Sequence, residues 1–132
     1  MPVSREFFRL EPAKAPAARP VRGGLPAWQQ KRVAEFIEEH LAEDISLSVL
    51  AELVDLSRYH FARAFRQSFG APPHRYHMAR RIDLARRLLR MPALSVTEIS
   101  IRIGFREASS FTRAFRHFTG RTPTEHRRQN QY

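Results

Sequence analysis

Four arginines stand in two matched pairs: Arg63 and Arg66 within FARAFRQSFG at residues 61–70, and Arg113 and Arg116 within FTRAFRHFTG at residues 111–120. Arginine carries a planar, permanently charged fork of donors that fits the paired acceptors of a phosphate or of a guanine edge. In each stretch the apolar positions, Phe61, Ala64 and Phe65 and likewise Phe111, Ala114 and Phe115, share one face of a helix at i, i+3, i+4 spacing. That face must be core. The arginines fall off it, so both helices are expected to present cations outward.

Other chemistries find little support. His74 and His77 are three apart, as a pair of metal ligands can be, but no third ligand follows at a matching spacing, so no metal is expected. The absence of cysteine removes disulfides, zinc thiolates and thiol nucleophiles, and suits a reducing cytosol. Ser57 and Ser95 read as helix caps; no glycine-rich phosphate loop, paired acid or activated hydroxyl is visible. No enzyme activity and no cofactor are expected. Nor does any stretch of 18 uncharged apolar residues or an export signal appear, which points to a soluble cytoplasmic protein that does not engage membranes.

The charge is uneven. Net charge is +10, yet residues 28–56 balance at −5 and residues 57–132 at +12, and 21 of the 23 basic residues are arginine. Positive charge is thus concentrated around the two matched stretches, as in a protein that sits on a polyanion.

Residues 1–26 contain five prolines and the pair Gly23 and Gly24 without apolar periodicity, and read as a flexible arm or linker. From residue 27 the pattern is helical throughout. Trp28, Val33, Phe36, Ile37 and Leu41 recur near helical spacing, with Glu35, Glu38 and Glu39 on the other side. Ser46 caps a short helix over residues 47–54, Ser57 a longer one to Phe69, and Gly70 supplies a left-handed end. Pro72 and Pro73 open a long helix to about Arg90, with Met78, Ile82, Ala85 and Leu89 as its apolar stripe and Arg80, Arg87 and Arg90 looking outward. Ser95 caps another short helix, a further helix runs from about Glu107 to Thr119 before Gly120, and Thr122 with Pro123 opens a last one. No period-two alternation appears. The expected fold is all-α, with about seven helices.

The repeat is longer than the matched stretches. Residues 50–56 match residues 99–105 at a spacing of 49, and residues 61–73 match residues 111–123 at a spacing of 50. Each copy is a short helix, a tight turn and a longer helix, which is the helix-turn-helix unit, at about residues 46–70 and 95–120. The second copy has one residue more in its turn. In such units the N-terminal half of the second helix enters the DNA major groove.

With LAELVDLSRYHFARAFRQSFGAPPHRY, RRIDLARRLLR and ISIRIGFREASSFTRAFRHFTGRTP in place, residues 27–128 resemble the DNA-binding domain of the AraC/XylS family of bacterial transcription regulators. The resemblance implies two subdomains tied by the helix of residues 73–90, both recognition helices on one face of double-stranded DNA, and no dimer needed. It implies base contacts from Tyr59, Ala62 and Arg63 and from Ala108, Ser109, Ser110 and Arg113; by position in the helix-turn-helix Arg58 joins the base-facing set, and Arg66, Arg106, Arg116 and His117 are expected at phosphates. His126 stands where the family usually has tyrosine, and Ser100 where it usually has alanine. Many members carry a separate ligand-sensing domain, so the chain reads as a short single-domain regulator or as the DNA-binding piece of a longer one. The alternatives are a nucleic-acid binder without sequence choice, and an adaptor whose acidic first helix docks on RNA polymerase.

Overall fold

A computed structural model describes residues 23–130; residues 1–22, most of the expected arm, lie outside the described range. Seven helices make up the described chain, with no strand among them: α1 (Ala27–Glu39), α2 (Leu47–Leu53), α3 (Arg58–Phe69), α4 (Pro73–Leu88), α5 (Val96–Arg102), α6 (Ala108–Thr119) and α7 (Pro123–Gln129). The helix-turn-helix units are α2–α3 and α5–α6. In each, a helix of 7 residues precedes one of 12. Four residues separate the helices of the first unit and five those of the second, so the extra residue does fall in the turn.

Local chemistry explains where these helices begin and end. Ser46 and Ser57 accept hydrogen bonds from the backbone N–H groups of Val49 and His60, at 3.1 Å each. Ser95 with Glu98 and Thr122 with Glu125 form reciprocal capping boxes. The backbone N–H groups of Ser95 and Thr122 hold the carboxyls of Glu98 and Glu125 below the usual glutamate range. Gly70 and Gly120 end α3 and α6 at φ of 81° and 85°. Ser57→Ala should cost about 1 kcal/mol by removing a cap, whereas Glu107→Ala, at the matching position of α6 where no side-chain cap bond forms, should cost less. Urea denaturation midpoints of the two variants check this ordering.

Two apolar cores result. Val33 and Ile37 of α1, Leu50 and Ala51 of α2, and Phe61, Ala64 and Phe65 of α3 close the first; Ile99 of α5 with Phe111 and Phe115 of α6 close the second. The linker helix α4 serves both. Its Tyr76 packs on the first core, its Ile82, Ala85 and Leu89 lie inside the second, and Leu84 touches each. The repeat extends to ring geometry: Tyr76 meets Phe65 edge-on at 5.5 Å, and His126, fifty residues later, meets Phe115 in the same way at 5.3 Å. Burial, helped by Arg86, Arg121 and Arg90, lowers the pKa of His126, so the neutral ring serves in tyrosine's place. Ser100 is likewise accommodated, because its buried hydroxyl donates to Thr97 O at 2.8 Å.

Three features depart from the sequence reading. Trp28 is 62% exposed and takes no part in the core. It precedes Val33 by five residues, which on a helix turns it about 140° from the apolar stripe. Its place is filled from upstream by Leu25, 1% exposed, whose N–H donates to Ser68 Oγ at 2.8 Å and whose carbonyl accepts from Gln30 Nε2 at 2.8 Å. The packed unit therefore begins before Ala27. Finally, Arg80 does not look outward: it is 1% exposed, hydrogen-bonded to Glu38 of α1 and 3.9 Å from Asp83. Glu38 of α1 reaches that side of α4, and its carboxylate supplies the countercharge that burial of a guanidinium requires.

Candidate nucleic-acid interface

Each longer helix lays its phenylalanines inward and its arginines outward. On α3, Phe61 and Phe65 are fully buried while Arg58, Tyr59, His60, Arg63 and Arg66 are exposed; on α6, Phe111 and Phe115 are buried while Ser109, Arg113, Arg116 and His117 are exposed. Tyr59 is 71% exposed, an unusual state for so apolar a ring. It is not idle, since its hydroxyl accepts from Arg63 Nη1 at 3.2 Å and its ring lies 5.8 Å from the guanidinium carbon. This pairing of i and i+4 holds the Arg63 fork extended along the outer face of α3.

Of the twelve residues that the sequence points to, four share one groove. Ser109, Thr112, Arg113, Arg116, His117 and Thr122 line one shallow groove along the outside of α6. Arg106 is exposed in the turn that leads into that helix, whereas Ala108 and Ser110 are half-buried at its start. Ala62 is half-buried as well. It borders a separate apolar pocket of about 260 Å³ with Ile45, Leu47, Leu50 and Pro72. Thr112 is its counterpart in the second unit.

The linker helix carries polar residues that periodicity does not reveal. Arg81, 4% exposed, donates from Nε to Leu41 O at 2.8 Å and from Nη2 to Glu43 O at 2.9 Å. Arg127 reaches back from α7 to backbone carbonyls at the end of α4 and in the connection to α5, at Leu89, Met91 and Leu94, with distances of 3.0, 3.1 and 2.7 Å. In sequence such residues are indistinguishable from surface arginines. Glu38 is committed to Arg80, which leaves Glu35 and Glu39 as the exposed acids on the outer side of α1.

His77 is not presented to a metal with His74: its Nε2 donates to Leu41 O at 2.8 Å, inside the fold. Among the described residues no group of three His, Cys, Asp or Glu side chains could hold a metal ion. Burial above all, with Arg81 and His74, lowers the pKa of His77 below the ordinary 6.5, against the Leu41 hydrogen bond and Asp44, which raise it. Below pH 6.5 the unfolded chain then binds more protons than the folded one, so stability is complete above that value and falls with acid. The melting temperature should drop between about pH 7 and about pH 5.5, and His77→Gln should flatten that drop. An unchanged slope would assign the loss to His126, whose pKa is lowered too.

Two helix-turn-helix units on one linker helix, each with a polar outer face on its longer helix, define a double helix-turn-helix protein. A profile of the helix-turn-helix domain family matches residues 50–129. An uncharacterised HTH-type transcriptional regulator of Staphylococcus aureus is 38% identical over 96 residues, which is 73% of this chain but 13% of that protein. The probable transcriptional regulator LumQ of Photobacterium leiognathi is 32% identical over 94 residues, 71% of this chain and 38% of its own. This chain thus spans well under half the length of either relative. Among solved structures, an AraC-type transcriptional regulator from Chromobacterium violaceum superposes with a TM-score of 0.71 at 29% identity, covering 76% of this chain and 90% of that one. The DNA-binding domain of the global transcriptional factor AdpA, solved in complex with a target DNA, superposes at 0.70 with 32% identity over the same shares. The chain belongs to the AraC family of helix-turn-helix proteins. No described helix is long and apolar enough to cross a membrane.

Proposed function

We propose that this protein is a sequence-specific transcription regulator that reads two adjacent major-groove segments of double-stranded DNA, one with α3 and one with α6. The observation that carries this reading is the pair of arginine-bearing outer faces, Tyr59 with Arg63 and Ser109 with Arg113, held on two helices that one linker helix joins. Arg63 and Arg113 grip guanine O6 and N7 bidentately, Arg58, Tyr59, Ser109 and Ser110 read neighbouring base edges, and Ala62 and Ala108 offer apolar contact to a thymine methyl. Arg66, Arg106, Arg116 and His117 hold phosphates and set the register. Because both reading helices belong to one chain, the protein acts on DNA as a monomer. Its two segments lie about 34 Å apart, one turn of the duplex.

Selection of bound duplexes from a random pool by the purified protein at roughly physiological salt tests this directly. The expected result is two enriched blocks one helical turn apart. Uniform recovery of all sequences, with binding that collapses as salt rises, would instead mark a binder that works by counterion release alone.

A further inference from the structure

The two helix-turn-helix units touch where α4 passes between them, and one side chain reaches both. Arg81 sends Nε and Nη2 to Leu41 O and Glu43 O, in the segment that follows α1 and belongs to the first unit. Its Nη1 approaches Gly104 O at 3.5 Å, and its guanidinium lies 5.6 Å from the ring centre of Phe105, both in the turn of the second unit. The backbones meet at the same place: a Cβ on Gly104 would stand 2.6 Å from Ala42 O and 2.7 Å from the Arg81 guanidinium. The nearest carboxylate, Asp44, is 4.0 Å away and 89% exposed, so backbone carbonyls do most of the work of holding this buried charge. A planar fork can satisfy three carbonyls in different directions at once. A lysine ammonium on a flexible stem cannot.

We propose that Arg81 is a positioning residue that clasps the two helix-turn-helix units at a fixed separation and thereby sets the spacing between the DNA segments the protein selects. The second half of this proposal rests on the reading of α3 and α6 given above. Its physical basis is the geometry of B-DNA, in which each added base pair shifts a segment by about 3.4 Å and turns it by about 35°. Two rigidly held helices therefore match one spacing, whereas two helices on a yielding joint match several.

Because the chain has no cysteine, Glu52→Cys on α2 and Thr124→Cys on α7, both exposed, accept a pair of spin labels without background. The distance between them is read with Arg81 and with Arg81→Ala. One narrow distance in the first and a broadened distribution in the second are expected, with Arg81→Lys in between. Alongside, affinities are measured for duplexes whose two blocks are moved by one or two base pairs. With Arg81 the best spacing should be favoured by about tenfold, and with Arg81→Ala by less than about threefold, while base preference within each block is unchanged. An equally narrow distance in Arg81→Ala overturns the clasp. A broadened distance with spacing preference intact overturns its part in operator choice. A protein with Arg81 that selects no paired blocks defeats the reading of α3 and α6, and the label distances still decide the clasp. Should Arg81→Ala not melt cooperatively, Arg81→Lys carries the same comparison.

Discussion

Gly104→Ala is expected to lower folding stability by about 2–5 kcal/mol, well beyond the roughly 1 kcal/mol expected for Gly70→Ala or Gly120→Ala. All three glycines have positive φ, at 104°, 81° and 85°, so each substitution carries the left-handed backbone cost. Only at Gly104 is there also no room. The new methyl would meet Ala42 O and the Arg81 guanidinium, whereas nothing lies within 4 Å of a Cβ at Gly70 or Gly120. Neither obstacle yields cheaply, since one is backbone and the other is tied to Leu41 and Glu43. The corresponding residue of the first unit, Asp55, adopts φ of 53° with a side chain in place, which confirms that the turn alone does not demand glycine. Urea midpoints of the three variants measure the contrast; a loss at Gly104 no larger than at Gly70 would show that segment 41–44 moves aside freely.

On the selected DNA, Arg63→Ala and Arg113→Ala should each cost about 1–3 kcal/mol, and the double variant about 2–6 kcal/mol. The sum follows from their placement, because each arginine stands on the outer face of a different unit. The form of the loss matters more than its size. If each fork meets its own base pair as proposed, base preference should relax in the block read by the altered helix and persist in the other. Arg66→Ala and Arg116→Ala should weaken all sequences alike and each reduce the salt slope by about one unit, as expected of phosphate contacts. Fluorescence anisotropy on specific and scrambled duplexes separates the two patterns. Equal losses on both duplexes for Arg63→Ala would reassign that residue to the phosphates. Tyr59→Phe offers a milder comparison, since it removes only the hydroxyl that accepts from Arg63.

Much of this molecule was legible as pattern. Helical periodicity located the longer helices and cap or proline residues the short ones, with serine or threonine marking four helix starts and glycine two helix ends. The repeat showed which aromatic residues would be buried and which arginines would be left outside. These properties are local: a face is apolar or it is not, and a cap bonds to N–H groups three residues away. What pattern could not show is which arginines would be enclosed. Arg80, Arg81 and Arg87 read alike in the stretch RRIDLARRLLR, yet the first meets Glu38 and the second meets carbonyls more than 35 residues upstream, while Arg87 stays partly in water. Trp28 and Leu25 exchanged their expected places for the same reason, because burial at a helix start depends on what packs over it. The composition, the helices, the repeat and the outward arginines follow from the order of residues along the chain. The separation of the two units, the enclosed charges on α4 and the tight approach at Gly104 arise only when distant segments meet, since a hydrogen bond across 40 residues leaves no periodic trace in the sequence.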